Sequence, residues 1–174
     1  MRAMDNLRRG ALVATTALAA VLVGVLLGRG GDATVAVEDA APELTLTDFE
    51  GSQFSFAEFE GTPVVVNFWA SWCSFCVSEM PDFERVHQAL GDEVVFLGVD
   101  QRDRRDRALE LARQTGVTYR LVWDPRGEVF DAFGGPGMPT TVFIDAEGTV
   151  MEIIPGQLSA GLLRDHIRRN FGIG

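Results

Sequence analysis

The alternation of apolar and polar positions divides the chain into short runs with a period of two and longer ones with the helical period. Val64 to Trp69 is an apolar, β-branched run broken once by Asn67, as in a strand buried on both faces. A sharp turn follows, and then a helix carrying Cys73 and Cys76 runs on to Leu90. Phe83, Val86 and Leu90 form its inner face, and Gly91 stops it. Pro81 inside that helix removes an N–H and predicts a kink that sets the cysteine-bearing turn at an angle. Upstream, Glu43 to Phe56 alternates around Asp48-Phe49-Glu50-Gly51, predicting a β-hairpin, with Ala57 to Gly61 as a brief connection.

Downstream, Val94 to Val99 predicts a second buried strand that ends at Asp100. The alternating charges from Gln101 to Arg107 then open a helix that runs through Leu111 to Gly116. Tyr119 to Trp123 is a third strand and Glu128 to Phe133 a short helix before a Gly-rich loop, Gly134 to Gly137. Thr140 to Ile144 and Val150 to Ile154 flank the turn Asp145-Ala146-Glu147-Gly148. Ser159 caps a last helix with Leu162, Leu163, Ile167 and Phe171 inward. The order βαβ, helix, strand, hairpin, helix predicts an α/β domain: a mixed sheet with helices on both faces.

The first 31 residues break this pattern. Residues 1–9 carry Arg2, Arg8 and Arg9, and the uncharged run Gly10 to Gly28 follows. At about 1.5 Å per residue it reaches roughly 28 Å, the depth of a hydrocarbon core and longer than a signal-peptide apolar region. The arginines predict a cytoplasmic N-terminus, so residues 10–28 read as a single-pass signal-anchor in the cell membrane with the domain outside. Cleavage among the small residues Ala33 to Ala41 is the alternative. Residues 29–41, acidic and without period, read as a flexible tether to one domain, 42–174.

Charge and cysteine content narrow the chemistry. The 174 residues carry a net charge of −10 and no lysine, so the domain does not resemble a nucleic-acid binder. Cys73 and Cys76 are the only cysteines, and a thiol at a helix N-terminus is favoured as thiolate, the nucleophilic form. A purely structural disulfide is the bland reading, but a loop of about four residues contributes roughly 2 kcal/mol against about 3 for fifteen. No metal site fits, because His87 and His166 stand apart from the pair and read as surface or boundary residues. No bound cofactor is implied.

The run Asn67-Phe68-Trp69-Ala70-Ser71-Trp72-Cys73-Ser74-Phe75-Cys76, with Glu79, Pro81 and Gly137-Met138-Pro139-Thr140, resembles the membrane-anchored TlpA/ResA-like thiol-disulfide oxidoreductases of the thioredoxin superfamily. The resemblance covers roughly Pro42 to Phe171 and implies a thioredoxin fold with an N-terminal β-hairpin and a helix-strand insertion. It implies that Cys73 is the exposed attacking thiol, that Cys76 resolves the mixed disulfide, and that the two form the redox disulfide. It also implies that Pro139 is cis and presents the backbone of Met138 to an extended substrate. In such proteins a glutamate placed as Glu79 is exchanges protons with the second cysteine, whereas thioredoxins proper carry a buried aspartate where Asn67 stands. Desolvation would raise the pKa of such a carboxyl. Trp72 and Phe75 read as an apolar rim for partners, and Trp69 as core or site support.

The implied activity is extracytoplasmic exchange with exported protein dithiols and disulfides. By family analogy the task is reduction of apocytochrome c in cytochrome c maturation, with electrons from a membrane thiol carrier. One departure bears on direction: the family commonly has proline before the second cysteine, and this chain has Phe75. A disulfide-forming oxidase is therefore an alternative within the same chemistry. A peroxiredoxin-type peroxidase would want a hydroxyl residue three before the reactive cysteine, where Ala70 stands.

Overall fold

A computed structural model describes residues 39–174. Residues 1–38, and with them the expected anchor at 10–28 and most of the tether, lie outside the described residues. Among the described residues no helix is long and apolar enough to cross a membrane.

The chain runs β1 (Asp39–Ala40), β2 (Leu46–Thr47), β3 (Gln53–Phe54), a 3-10 turn (Phe56–Phe59), β4 (Val64–Trp69) and α1 (Ser74–Leu90). It continues with β5 (Val95–Gln101), α2 (Arg105–Thr115), β6 (Arg120–Asp124), α3 (Glu128–Ala132), β7 (Thr140–Ile144), β8 (Thr149–Pro155) and α4 (Ala160–Phe171). The main sheet has six strands in the order β1-β8-β7-β4-β5-β6, with β2 and β3 as a separate hairpin. β4 pairs parallel with β5 and antiparallel with β7, and every residue of β4 is buried. That is why its sequence is apolar without alternation.

Side-chain parity assigns the two faces. Val64, Val66 and Phe68 of β4 pack with Leu97, Val99 and Val142 beneath the hairpin and α3, through Leu46, Phe54, Val129 and Phe130. Val65 faces the other way, toward Phe83 and Val86 of α1 and Leu163 and Ile167 of α4. Further along that second face, Trp69, the cysteines and Met80 meet Ala108 and Leu111 of α2. The three longer helices therefore share one face, while the hairpin and a single short helix cover the other. Gly98 makes this possible near the site, since a Cβ there would lie 2.7 Å from Leu121, 2.8 Å from Tyr119 and 3.1 Å from the Trp69 indole nitrogen.

Four expectations change. Residues 39–40, read as the end of the tether, instead add β1 to the sheet edge against Val150 and Thr149. β5 runs on through Asp100 and Gln101, which pair in register with Trp123 and Asp124, so α2 begins only at Arg105. The ladder to β6 outweighs the local charge pattern. Leu162 points outward at 51% exposure, because it lies about 100° around the helix from Leu163, which with Ile167 forms the inner face. Ala57 to Gly61 is not a bare connection, since residues 56–59 form the 3-10 turn.

Candidate active site

β4 ends at Trp69, and the chain turns through Ala70, Ser71 and Trp72 before Cys73 takes the N-cap of α1. The Cys73 Sγ accepts a hydrogen bond from the backbone N–H of Cys76 at 3.2 Å. The side chain thus fills the role a serine or aspartate usually plays at a cap, and the same N–H favours negative charge on that sulfur. The two sulfurs are bonded at 2.08 Å, and among the described residues no cysteine is free. Cys76 is fully buried, whereas Cys73 keeps 8% of its surface. The attacking thiol expected to be exposed is therefore only marginally so in the disulfide form, but it is the one of the pair that a partner can reach.

Glu79 lies one helical turn beyond Cys76 and is completely buried. Asn67 Nδ2 donates to its Oε1 at 2.7 Å, and the backbone N–H of Leu158, just before α4, donates to its Oε2 at 2.9 Å. Burial pushes the carboxyl up to about 7, against the lowering effect of those two donors. It is poised to take or give a proton near neutral pH. Asn67, which stands where thioredoxins proper carry a buried aspartate, is the side chain that holds this carboxyl from β4.

The peptide between Met138 and Pro139 is cis, and Pro139 precedes Thr140, whose strand partner is Phe68. Met138 packs against the cluster that contains Trp69, Cys73 and Cys76. Among the described residues neither its N–H nor its C=O joins a backbone hydrogen bond. Trp72 and Phe75 flank the disulfide at 60% and 63% exposure, and the Trp72 indole donates to the Arg102 carbonyl at 3.3 Å. Trp69 is wholly buried in the cysteine cluster. Pro81 lies exposed within α1, which continues through it. His87 packs edge-on against Phe96 and Tyr119, and His166 pairs with Glu152 at 2.7 Å, both away from the disulfide cluster. Among the described residues no cluster of side chains suits a metal ion.

Two residues near the cysteines carried no expected role. Asp100 is fully buried on the Trp69 side of the sheet, and Asp103 Oδ2 accepts the backbone N–H of Ser71 at 2.5 Å. The parity Phe96, Gly98, Asp100 along β5 places Asp100 on the site face; its charge had marked it instead as a strand end.

The model of the AhpC/TSA family matches residues 37–153. The chain belongs to the AhpC/TSA family. It is 32% identical over 136 residues to the thiol-disulfide oxidoreductase ResA of Geobacillus thermodenitrificans, covering 76% of this chain and 77% of that one. Among solved structures, MTB DsbF in its mixed oxidized and reduced forms matches with a TM-score of 0.70 and 27% identity, over 75% of this chain and 97% of that one. A secreted Mycobacterium tuberculosis disulfide oxidoreductase homologous to E. coli DsbE matches with a TM-score of 0.67 and 25% identity, over 73% and 96%. The domain has the thioredoxin-like fold, and the protein is a ResA-like thiol-disulfide oxidoreductase of the thioredoxin superfamily.

Proposed function

We propose that the protein is an extracytoplasmic reductant of protein disulfides, held at the membrane by residues 10–28, and that apocytochrome c in cytochrome c maturation is its substrate class. The observation that carries the chemistry is the placement of the two sulfurs: Cys73 at the cap of α1 with residual exposure, Cys76 sealed beneath it, and Glu79 one turn further in. The ResA relative supports the reaction class, and the secreted DsbE homologue supports a site outside the cytoplasm.

In the reducing direction both cysteines start as thiols. The Cys73 thiolate attacks one sulfur of the substrate disulfide, a mixed disulfide forms, and the other substrate sulfur leaves as thiolate and takes a proton. Glu79 then accepts the proton of Cys76, and the Cys76 thiolate attacks Cys73. The Cys73–Cys76 bond forms, and the second substrate sulfur is expelled and protonated. Two electrons pass from the dithiol to the substrate. An ordinary thiol near 8.5 and a carboxyl near 7 are close enough for that transfer to cost little. The free backbone of Met138 offers strand-like pairing to an extended substrate, and Trp72 and Phe75 offer it an apolar rim. A membrane thiol carrier returns the electrons.

The direction is tested by the reduction potential of the Cys73–Cys76 couple. A value near thioredoxin's about −270 mV supports the reductant, and one near about −120 mV makes the protein a disulfide-forming oxidase. Cys76→Ser leaves the mixed disulfide on Cys73 unresolved, so the covalently trapped partner identifies the substrate. Recovery of exported proteins without an apocytochrome c among them would overturn the assigned substrate class.

A further inference from the structure

Among the described residues, Asp100 is the fully buried carboxyl on the site face that the thiol chemistry does not use. Register sets it between Trp69 on β4 and Trp123 on β6. Neither of its oxygens meets a donor among the described residues. Its contact is another acid: the Asp103 carboxyl lies within hydrogen-bonding reach, and Asp124 of β6 adds further negative charge. The other charged or titratable groups on the elements packed here are directed elsewhere. Arg105 of α2 donates to the Phe49 carbonyl, Arg102 bonds Gln101 and Asp131, and Glu79 of α1 is held by Asn67 and Leu158. Cys73 and Cys76 are bonded to each other.

Two bare carboxylates in contact repel, and a fully buried one lacks water to relieve the repulsion. One proton between them removes both difficulties and supplies the donor that Asp100 lacks. Asp103 also spans the gap to the site: its Oδ2 holds the N–H of Ser71, two residues before Cys73, and its Oδ1 accepts the N–H of Arg104. The neighbouring Arg102, in the left-handed region at φ 49°, gives its carbonyl to the Trp72 indole. The short connection after β5 therefore grips the turn before the cysteines at two successive residues.

We propose that Asp100 and Asp103 share a single proton, that this proton keeps Asp103 on the amide of Ser71, and that Asp100 is thereby a positioning residue for the Trp72–Cys73 segment. When the proton leaves, Asp103 is the member that moves, because it is half-buried while Asp100 is sealed. Its departure takes the Ser71 hydrogen bond with it. Burial and the Asp103 charge push the Asp100 carboxyl up to about 8, so the grip loosens on the alkaline side of neutrality.

The test uses the oxidised full-length chain, in which no thiol titrates, so it is independent of whether the protein reduces anything. Carboxyl-carbon NMR of the aspartates is followed from about pH 5 to about pH 10, the Asp100 signal being the one missing in Asp100→Asn. Glu79→Gln removes the α1 carboxyl that burial raises to about 7, so that its titration does not overlap that of Asp100. The expected midpoint for Asp100 is near 8, with a roughly tenfold rise in Ser71 amide exchange across it beyond the ordinary base-catalysed slope. In Asp100→Asn the amide donates to Asp103 at every pH, so the Ser71 step disappears. In Asp103→Asn the new amide donates to Asp100, and the midpoint moves to the acid side. An Asp100 midpoint near an ordinary carboxyl's about 4 in the unaltered protein, or a Ser71 step unchanged in Asp100→Asn, would overturn the proposal. If Asp100→Asn does not fold, the Asp103→Asn shift decides, and an unmoved midpoint there overturns it as well.

Discussion

Asn67 donates one amide hydrogen to Glu79 across 2.7 Å, and its own carbonyl oxygen has no partner among the described residues. The second oxygen of Glu79 is held by a backbone N–H, which cannot reverse its polarity. Asn67 can, because rotating its amide by a half-turn exchanges donor for acceptor with little change in shape. The ionised carboxylate is served by the Asn67 N–H and the protonated acid by the Asn67 carbonyl. A buried acid that must gain and lose a proton thus keeps a hydrogen-bonding partner in both states.

Glu79→Gln should fold, since the new amide can donate to the free Asn67 oxygen while its carbonyl still accepts from Leu158. It should slow thiol exchange by on the order of 10²-fold, the lower range for a removed acid-base group. The rate profile should also lose the inflection near pH 7 that Glu79 contributes. Stopped-flow turnover of a disulfide peptide from about pH 5 to about pH 9 checks both points, and a mutant with the wild-type profile would remove Glu79 from the proton path.

The same carboxyl affects stability. Its pKa is raised from 4.5 to about 7 on folding, so between those values the folded state binds more protons than the unfolded one. Stability contributed at this site is therefore full below about pH 4.5 and is lost as pH rises through about 7. The whole loss is roughly 3 kcal/mol. Glu79→Gln does not titrate, so relative to wild type it should gain stability by about that amount between pH 4 and pH 8. Denaturant unfolding of both oxidised proteins at the two pH values measures it. An equal difference at both would mean that Glu79 is not shifted by burial.

Asn67→Ala removes a donor to the ionised form and leaves burial unchanged. The Glu79 pKa should rise, moving the exchange-rate inflection alkaline by about one unit, the scale of one hydrogen bond to a charged group. An inflection that moved toward acid would show that the pair acts through packing instead.

What the chain reveals before folding follows from how local its causes are. β4, α1, the hairpin around Asp48, the β7–β8 turn and the Ser159 cap were all legible, because each rests on residues close together in sequence. The cis peptide at Pro139 and the burial of Glu79 came through family resemblance, since neither leaves a local signature. Asp100 was misread because charge is the ordinary marker of a strand end; its burial depends on the pairing of β5 with β6, separated by the whole of α2. Leu162 was misread for a different reason. Two adjacent leucines cannot both face inward on one helix, and only packing against the sheet shows that Leu163 does.

Trp72 and Phe75 are the exposed aromatic residues beside the disulfide, at 60% and 63%, and among the described residues the other large apolar side chain so exposed is Leu162 of α4. Burying an aromatic side chain against a partner contributes roughly 1.5 to 3 kcal/mol. Trp72→Ala and Phe75→Ala should each lower kcat/KM toward a disulfide-bonded polypeptide by on the order of tenfold or more. The loss toward a small molecule such as oxidised glutathione should be far smaller, because it reaches Cys73 without covering the rim. Trp72→Phe separates docking from anchoring. It keeps an apolar ring but loses the hydrogen bond to the Arg102 carbonyl, so it should retain most of the polypeptide rate if the ring surface is what partners bind. Equal losses toward the polypeptide and glutathione in the alanine variants would instead place both residues in the sulfur chemistry itself, through the pKa of Cys73.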